Sequence, residues 1–182
     1  MKYFIEIGSN SFNTLIPLAE HGWKGVIVEP LAQYLEELPV LENVAYVNAA
    51  ISNQDGSCVM KVYNEDICEK DSDFRGMSTL ETEGLVKQNA HMVHDEEVEC
   101  MTYQNLLDTH CSDFPQIDFL KIDAEGHEIK ILETIDFHGP LRPKVIKVEH
   151  LHCNDVQMSA LLEEAGYFTM VDQIDIYAIS YD

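Results

Sequence analysis

Three short apolar runs, residues 3–7, 25–30 and 44–51, are separated by two stretches of helical spacing, residues 13–21 and 31–38. An apolar run this short, closed by Gly8 or Pro30, reads as a buried strand, whereas Leu15, Ile16, Leu18 and Ala19 recur as on one helix face. Strand–helix–strand–helix–strand with short connections permits few folds. The strands must lie parallel, joined by right-handed crossovers. The alternation resumes with a strand at 117–122, a helix at 128–135, a strand at 144–148 and a helix at 156–165. Residues 167–171 and 174–180, split by Asp172-Gln173, then pair as a terminal antiparallel hairpin.

Residues 57–116 interrupt this rhythm. Two further strands are expected at 59–63 and 98–102, with a polar stretch between them, residues 65–89, containing Gly76 and Gly84. A long polar connection inside a compact chain is usually functional, so it reads as a lid or substrate-recognition insertion. At 182 residues the chain suits one domain, 1–182, with 57–116 inserted between its third and fourth core strands.

Eleven basic against 33 acidic residues leave a net charge of -22, which repels phosphate backbones and anionic lipid. Nucleic acid and membranes are therefore not expected partners. No apolar run is long enough to span a bilayer, and no cleavage pattern follows Met1. The five cysteines, at 58, 68, 100, 111 and 153, are odd in number and lack CxxC spacing. A disulfide is not expected on that count, and a cytoplasmic location is.

Ligands of open α/β sheets bind at the carboxyl ends of the strands. Glu6, Gly8 and Asn10 stand there after the first strand, Glu29 after the second, and Asn48 to Ser52 around the third. Asp123 and Glu125 follow the fourth, and Glu149, His150 and His152 the fifth. An acidic residue closing the second strand, some twenty positions beyond a glycine loop, can accept both ribose hydroxyls of an adenosine cofactor. The loop Gly8-Ser9-Asn10-Ser11-Phe12-Asn13 has one glycine where a pyrophosphate-binding loop needs several. S-adenosylmethionine has no phosphate, and Glu6 could meet its ammonium. The loop thus favours the sulfonium cofactor over NAD, and the terminal hairpin favours a class I methyltransferase over a dehydrogenase.

The stretches FIEIGSN, GVIVEP, NAAIS with its following DG, YQNLLD and KVEH resemble the FkbM family of S-adenosylmethionine-dependent methyltransferases. The most distinctive match is IDFLKIDAEGHEIKIL, which carries an aspartate, a Glu-Gly pair and a second glutamate at Asp123, Glu125-Gly126 and Glu128. The resemblance runs from Phe4 to His150. It implies a Rossmann-like class I methyltransferase fold, α/β, with a mostly parallel seven-stranded sheet and an antiparallel C-terminal hairpin. It also implies methylation of a hydroxyl oxygen on a sugar or other small polar acceptor. Carried over by position, Glu6, Gly8, Asn10, Glu29, Ala50, Ile51 and Asp123 bind the cofactor.

An acceptor hydroxyl loses its proton as it attacks the methyl group, and Asp123, Glu125 and His150 are the candidate catalytic residues, His150 being better placed than His127. Asp123, Glu149 and His150 end neighbouring strands and could offer ligands to a divalent metal. His91 and His94 suit a solvated helical face. Two other readings stay open: an NAD-dependent oxidoreductase and a non-catalytic nucleotide-binding module.

Overall fold

The computed structural model describes residues 1–69, 72–83 and 85–181, without the side chains of 72, 73, 85 and 86; Gly84 lies outside the described residues. The chain begins with β1 (Tyr3–Ile7), α1 (Ile16–Glu20), β2 (Lys24–Val28), α2 (Ala32–Leu35) and β3 (Val44–Val47). Next come β4 (Ala50–Ser52), β5 (Gly56–Tyr63), α3 (Glu65–Cys68), a 3-10 turn (Ser72–Gly76), α4 (Leu85–Gln88) and β6 (Val93–Thr102). It ends with α5 (Tyr103–His110), β7 (Phe119–Ile122), α6 (Glu128–Leu132), β8 (Val145–Glu149), α7 (Asp155–Glu164), β9 (Tyr167–Val171) and β10 (Asp175–Ser180).

Seven strands form one sheet in the order β3-β2-β1-β7-β8-β10-β9. All neighbours are parallel except β10, which runs antiparallel to both β8 and β9. Strand order reverses between β1 and β7, so the loops after these two strands diverge and leave a cleft. Ile5, Ile7, Leu120, Ile122, Ile146 and Val148 carry one apolar face, closed by Leu106 of α5, Ile131 of α6 and Leu162 of α7. On the other face Phe4 and Ile27 meet Leu15, Ile16 and Ala19 around α1. Among the described residues, two helices have side-chain caps: the Thr102 and Asn154 oxygens accept from the amides of Asn105 and Gln157.

The expected third strand, 44–51, is two strands. Val44–Val47 stays in the large sheet, while Ala50–Ser52 leaves it to pair in parallel with β6. Asn48 turns the chain at the break, its Nδ2 donating to the carbonyls of Glu29 (3.0 Å) and Pro30 (2.8 Å). The small sheet, β4-β6-β5, is completed by the antiparallel β5/β6 ladder.

That ladder corrects the cysteine expectation. Cys58 stands opposite Val98 and Cys100 opposite Gly56, so the two thiols lie diagonally across adjacent strands. Their Cα atoms are 5.8 Å apart and they form a disulfide. Residues 42 positions apart in sequence gave no spacing signal; only strand register brings them together. The histidine expectation also changes: His94 lies on β6, its Nδ1 3.0 Å from Asn64 Oδ1, and His91 in the turn before it. Among the described residues no helix is long and apolar enough to cross a membrane.

Candidate active site

The first wall of the cleft is the loop after β1. Gly8 adopts φ +75°, and a Cβ there would lie 1.7 Å from the Asp123 carbonyl oxygen. Only glycine lets the loops after β1 and β7 come this close. Backbone bonds hold the junction: Gly8 N–H donates to Val28 O (2.9 Å) and Asp123 N–H to Ile7 O (3.0 Å). Asn10 also has a left-handed backbone, φ 49°, which asparagine tolerates.

Glu29 sits just beyond β2, 5% exposed, and is bound by that same loop. Its Oε2 accepts the Asn10 N–H at 2.8 Å and its Oε1 the Leu31 N–H at 3.0 Å. Burial pushes its carboxyl up to about 7, against the opposing pull of the Leu31 and Asn10 amides. Each oxygen has one amide partner and keeps accepting capacity. Gly8, Asn10, Glu29, Ala49, Ala50, Ile51, Asp123, Ala124, Glu125 and His127 all line the cleft, with Leu31, Tyr34 and Met60 on its apolar side.

Glu6 is not among the lining residues. It is fully buried on β1, with its Oε1 3.2 Å from Lys121 Nζ. The expectation that Glu6 faces a cofactor ammonium is thereby corrected. The parallel register sets Glu6 beside Lys121, and strand alternation turns both side chains under the loop. The Lys121 ammonium also reaches Asp123 Oδ2 at 3.1 Å and the Gly8 carbonyl at 3.4 Å. Burial acts to lower the Lys121 pKa, yet the carboxylates of Asp123 and Glu6 outweigh it and hold it raised. Burial pushes Glu6 up.

The second wall is the Asp-Ala-Glu-Gly-His-Glu loop after β7. Glu125 and Gly126 are both left-handed, φ 50° and 101°. Glu128 holds this turn from within, at 1% exposure: Oε1 accepts the Ala124 N–H (2.6 Å) and Oε2 the Gly126 N–H (2.9 Å). The spacing of the motif's second glutamate thus has a structural cause. His127 is the N-cap residue of α6; its Nε2 meets Ser52 Oγ at 2.9 Å and its Nδ1 meets Glu81 Oε1 at 2.6 Å.

Carboxylates crowd the far end. Burial, then the charges of Glu149 and Asp123, push Glu125 up to about 9. Burial, then Asp123 and Glu128, push Glu149 up to about 8. Glu149 Oε2 is buried without a hydrogen-bond partner, and His152 Nε2 stands 3.3 Å from Glu125 Oε2.

His150 is not brought to this cluster. Its Nε2 meets the Asp172 carbonyl at 3.1 Å, because its own amide donates to Ile174 and ties it to the β9–β10 turn. The expected metal set Asp123, Glu149 and His150 is therefore not assembled. Glu125, Glu149 and His152 are, with one ligand atom of each within 4.8 Å of the others. Two carboxylates and an imidazole could hold a divalent cation of the manganese type. A proton held on either acid also accounts for their proximity.

Sequence reasoning passed over Lys121, the structural role of Glu128, and Tyr34 and Glu81. Lysine inside a strand of such an acidic chain was the available signal for the first.

A sheet of order 3-2-1-7-8-10-9 with its penultimate strand reversed, and a cleft between the first strand and its reversal neighbour, define a class I methyltransferase fold. The family model described as "Methyltransferase FkbM domain" matches residues 5–169, and the chain belongs to this family of S-adenosylmethionine-dependent methyltransferases. No curated protein matches its sequence.

Among solved structures, a chain of a fibrillarin/Nop5p complex is similar at 15% identity and TM-score 0.49, over 99% of this chain and 73% of that one. Burkholderia thailandensis 1,6-didemethyltoxoflavin-N1-methyltransferase, solved with 1,6-didemethyltoxoflavin and S-adenosylhomocysteine, is similar at 12% identity and TM-score 0.44 (99% and 71% covered). The METTL16 methyltransferase domain is similar at 12% identity and TM-score 0.39 (100% and 73%). Likenesses this distant do not bear on the acceptor.

Proposed function

We propose that this chain transfers the methyl group of S-adenosylmethionine to a hydroxyl oxygen of a sugar or other small polar acceptor. The observation that carries the reading is Glu29, held by the Asn10 amide so that a ribose-accepting carboxylate shares one cleft with Asp123 and Glu125. Gly8, Asn10, Glu29, Ala50 and Ile51 hold the cofactor in this reading, and Asp123 lies at its methionine end. Glu6 contributes from below by fixing Lys121 against Asp123.

In the transfer, the acceptor oxygen forms a bond to the methyl carbon as the carbon–sulfur bond breaks and its electron pair returns to sulfur. The hydroxyl proton passes to a carboxylate of the Asp123–Glu125 end. The NAD-dependent alternative is set aside by the family match. A divalent ion enters the reading only through Glu125, Glu149 and His152. A cytoplasmic location rested on unpaired cysteines, and the Cys58–Cys100 bond removes that support. The whole of 1–182 acts as one domain, with 57–116 shaping the acceptor side.

Isothermal titration with S-adenosylmethionine and S-adenosylhomocysteine tests the cofactor; absence of binding to both sinks the proposal. A methyl-transfer screen with mass-spectrometric readout tests the acceptor. Transfer to sugar hydroxyls is expected. Transfer to RNA would overturn the acceptor class, and binding without any transfer would favour the non-catalytic module.

A further inference from the structure

Residues 75–81 span the cleft from the loop after β1 to the loop after β7, and Gly76, Ser78 and Leu80 contribute to its wall. The first attachment is at Arg75. Its carbonyl accepts from Asn10 Nδ2 (2.9 Å) and from the Tyr34 hydroxyl (3.1 Å), while its guanidinium lies over the Tyr34 ring and pairs with Glu37. In the middle, Thr79 exchanges two backbone hydrogen bonds with Lys61 of β5 (2.8 and 3.0 Å). Its Oγ1 donates to the Glu125 carbonyl at 2.6 Å.

The last attachment is Glu81. One oxygen, Oε1, takes both His127 Nδ1 (2.6 Å) and Lys130 Nζ (2.7 Å). The opposite nitrogen of His127 meets Ser52 Oγ, one residue beyond the cleft-lining Ile51. Glu81 therefore acts on two walls through a single imidazole. The three attachments differ in what it takes to break them. Ser78 and Thr79 are nearly buried, and the Arg75 carbonyl is held by two partners. Glu81 is held by side chains alone, 29% exposed itself, with Lys130 at 48%. Water competes with exposed ion pairs, so this end is the first to release.

We infer that Glu81 is a positioning residue that latches the strap of residues 75–81 over the cofactor, and that cofactor exchange opens the cleft from this end. The inference rests on the cofactor reading proposed above. A closed strap slows both entry and release, and a weaker latch raises the open population and with it the exchange rate.

The test uses the full chain and S-adenosylhomocysteine, with release measured by surface plasmon resonance and backbone protection by hydrogen exchange. In the wild type, the ligand should raise protection of the Thr79 amide. Glu81→Gln, which keeps size and loses charge, should speed ligand release by about tenfold. Lys130→Gln, at an exposed site that leaves the fold intact, should speed it by about threefold. Release at the wild-type rate in both variants, or no change in Thr79 exchange on binding, would make the strap a fixed wall and overturn the latch. A wild type that does not bind the ligand overturns the cofactor reading and the latch with it, an outcome distinct from binding with unchanged release.

Discussion

The two ends of the cleft are built on different principles. At the end near β2 the polar groups are matched one to one: Glu29 has an amide on each oxygen, the Gly8 amide donates to Val28 of β2, and the neighbouring Ile7 carbonyl accepts from Asp123. At the end near β8 they are crowded instead, with Glu125 and Glu149 both pushed toward the neutral form. A matched end has its polar groups paired before anything binds. A crowded end holds protons, and in the proposed transfer its carboxyls can take one from a hydroxyl only once they have ionised. In the proposed function the first end holds the cofactor and the second handles the proton, with Asp123 between them, paired with Lys121 and acting by its charge on Glu125 and Glu149.

Four changes would break or sharpen this contrast, the most severe first. Gly8→Val should abolish S-adenosylhomocysteine binding and cost about 3 kcal/mol or more of stability, since its Cβ overlaps the Asp123 carbonyl. Titration calorimetry and urea unfolding would show this; near-normal binding would mean the loops need not touch. Glu128→Ala should cost about 2–4 kcal/mol by leaving the Ala124 and Gly126 amides without their acceptor. The loss should appear in unfolding, and with it the cleft's acceptor end.

Glu29→Ala should weaken cofactor binding by about 1–3 kcal/mol with little change in the pH dependence of transfer. A shifted pH profile in that variant would blur the division between the two ends.

The mildest effect concerns pH. Glu125 and Glu149 are raised from 4.5 to about 9 and about 8, so the folded chain holds protons that the unfolded chain releases. Their contribution to stability is full below about pH 4.5 and is lost as pH rises through 8 and 9. Glu149→Gln should therefore raise the melting temperature at pH 9 and leave it nearly unchanged at pH 5. Differential scanning calorimetry at the two pH values would settle the sign. Transfer activity in the wild type should climb over the same alkaline interval if the Glu125 carboxylate takes the proton.

The large sheet was legible because strand and helix periods are local properties of a few residues. Gly8, Asn10 and Glu29 were legible for a related reason: each closes or follows a strand whose end can be read directly. The third strand was misjudged because Asn48 ends it through side-chain bonds to Glu29 and Pro30 carbonyls, nineteen and eighteen residues away in sequence. Glu6 and His150 also sat at readable strand ends, yet their side chains turn elsewhere. Strand ends indicate where a residue is, while alternation and neighbouring turns decide which way it points.

The sequence by itself determined the alternating α/β order, the reversed last strand, the glycine needed after β1 and the Asp-Ala-Glu-Gly-His-Glu motif that marks the family. Tertiary structure alone decided that Lys121 would bind Glu6 and Asp123, that Cys58 would meet Cys100, and that residues 75–81 would close on Glu125 and His127. The physical reason is one of range. Backbone period and turn chemistry act over a few residues, whereas charge pairing, thiol pairing and closure of the strap depend on register between segments that only the folded sheet brings together.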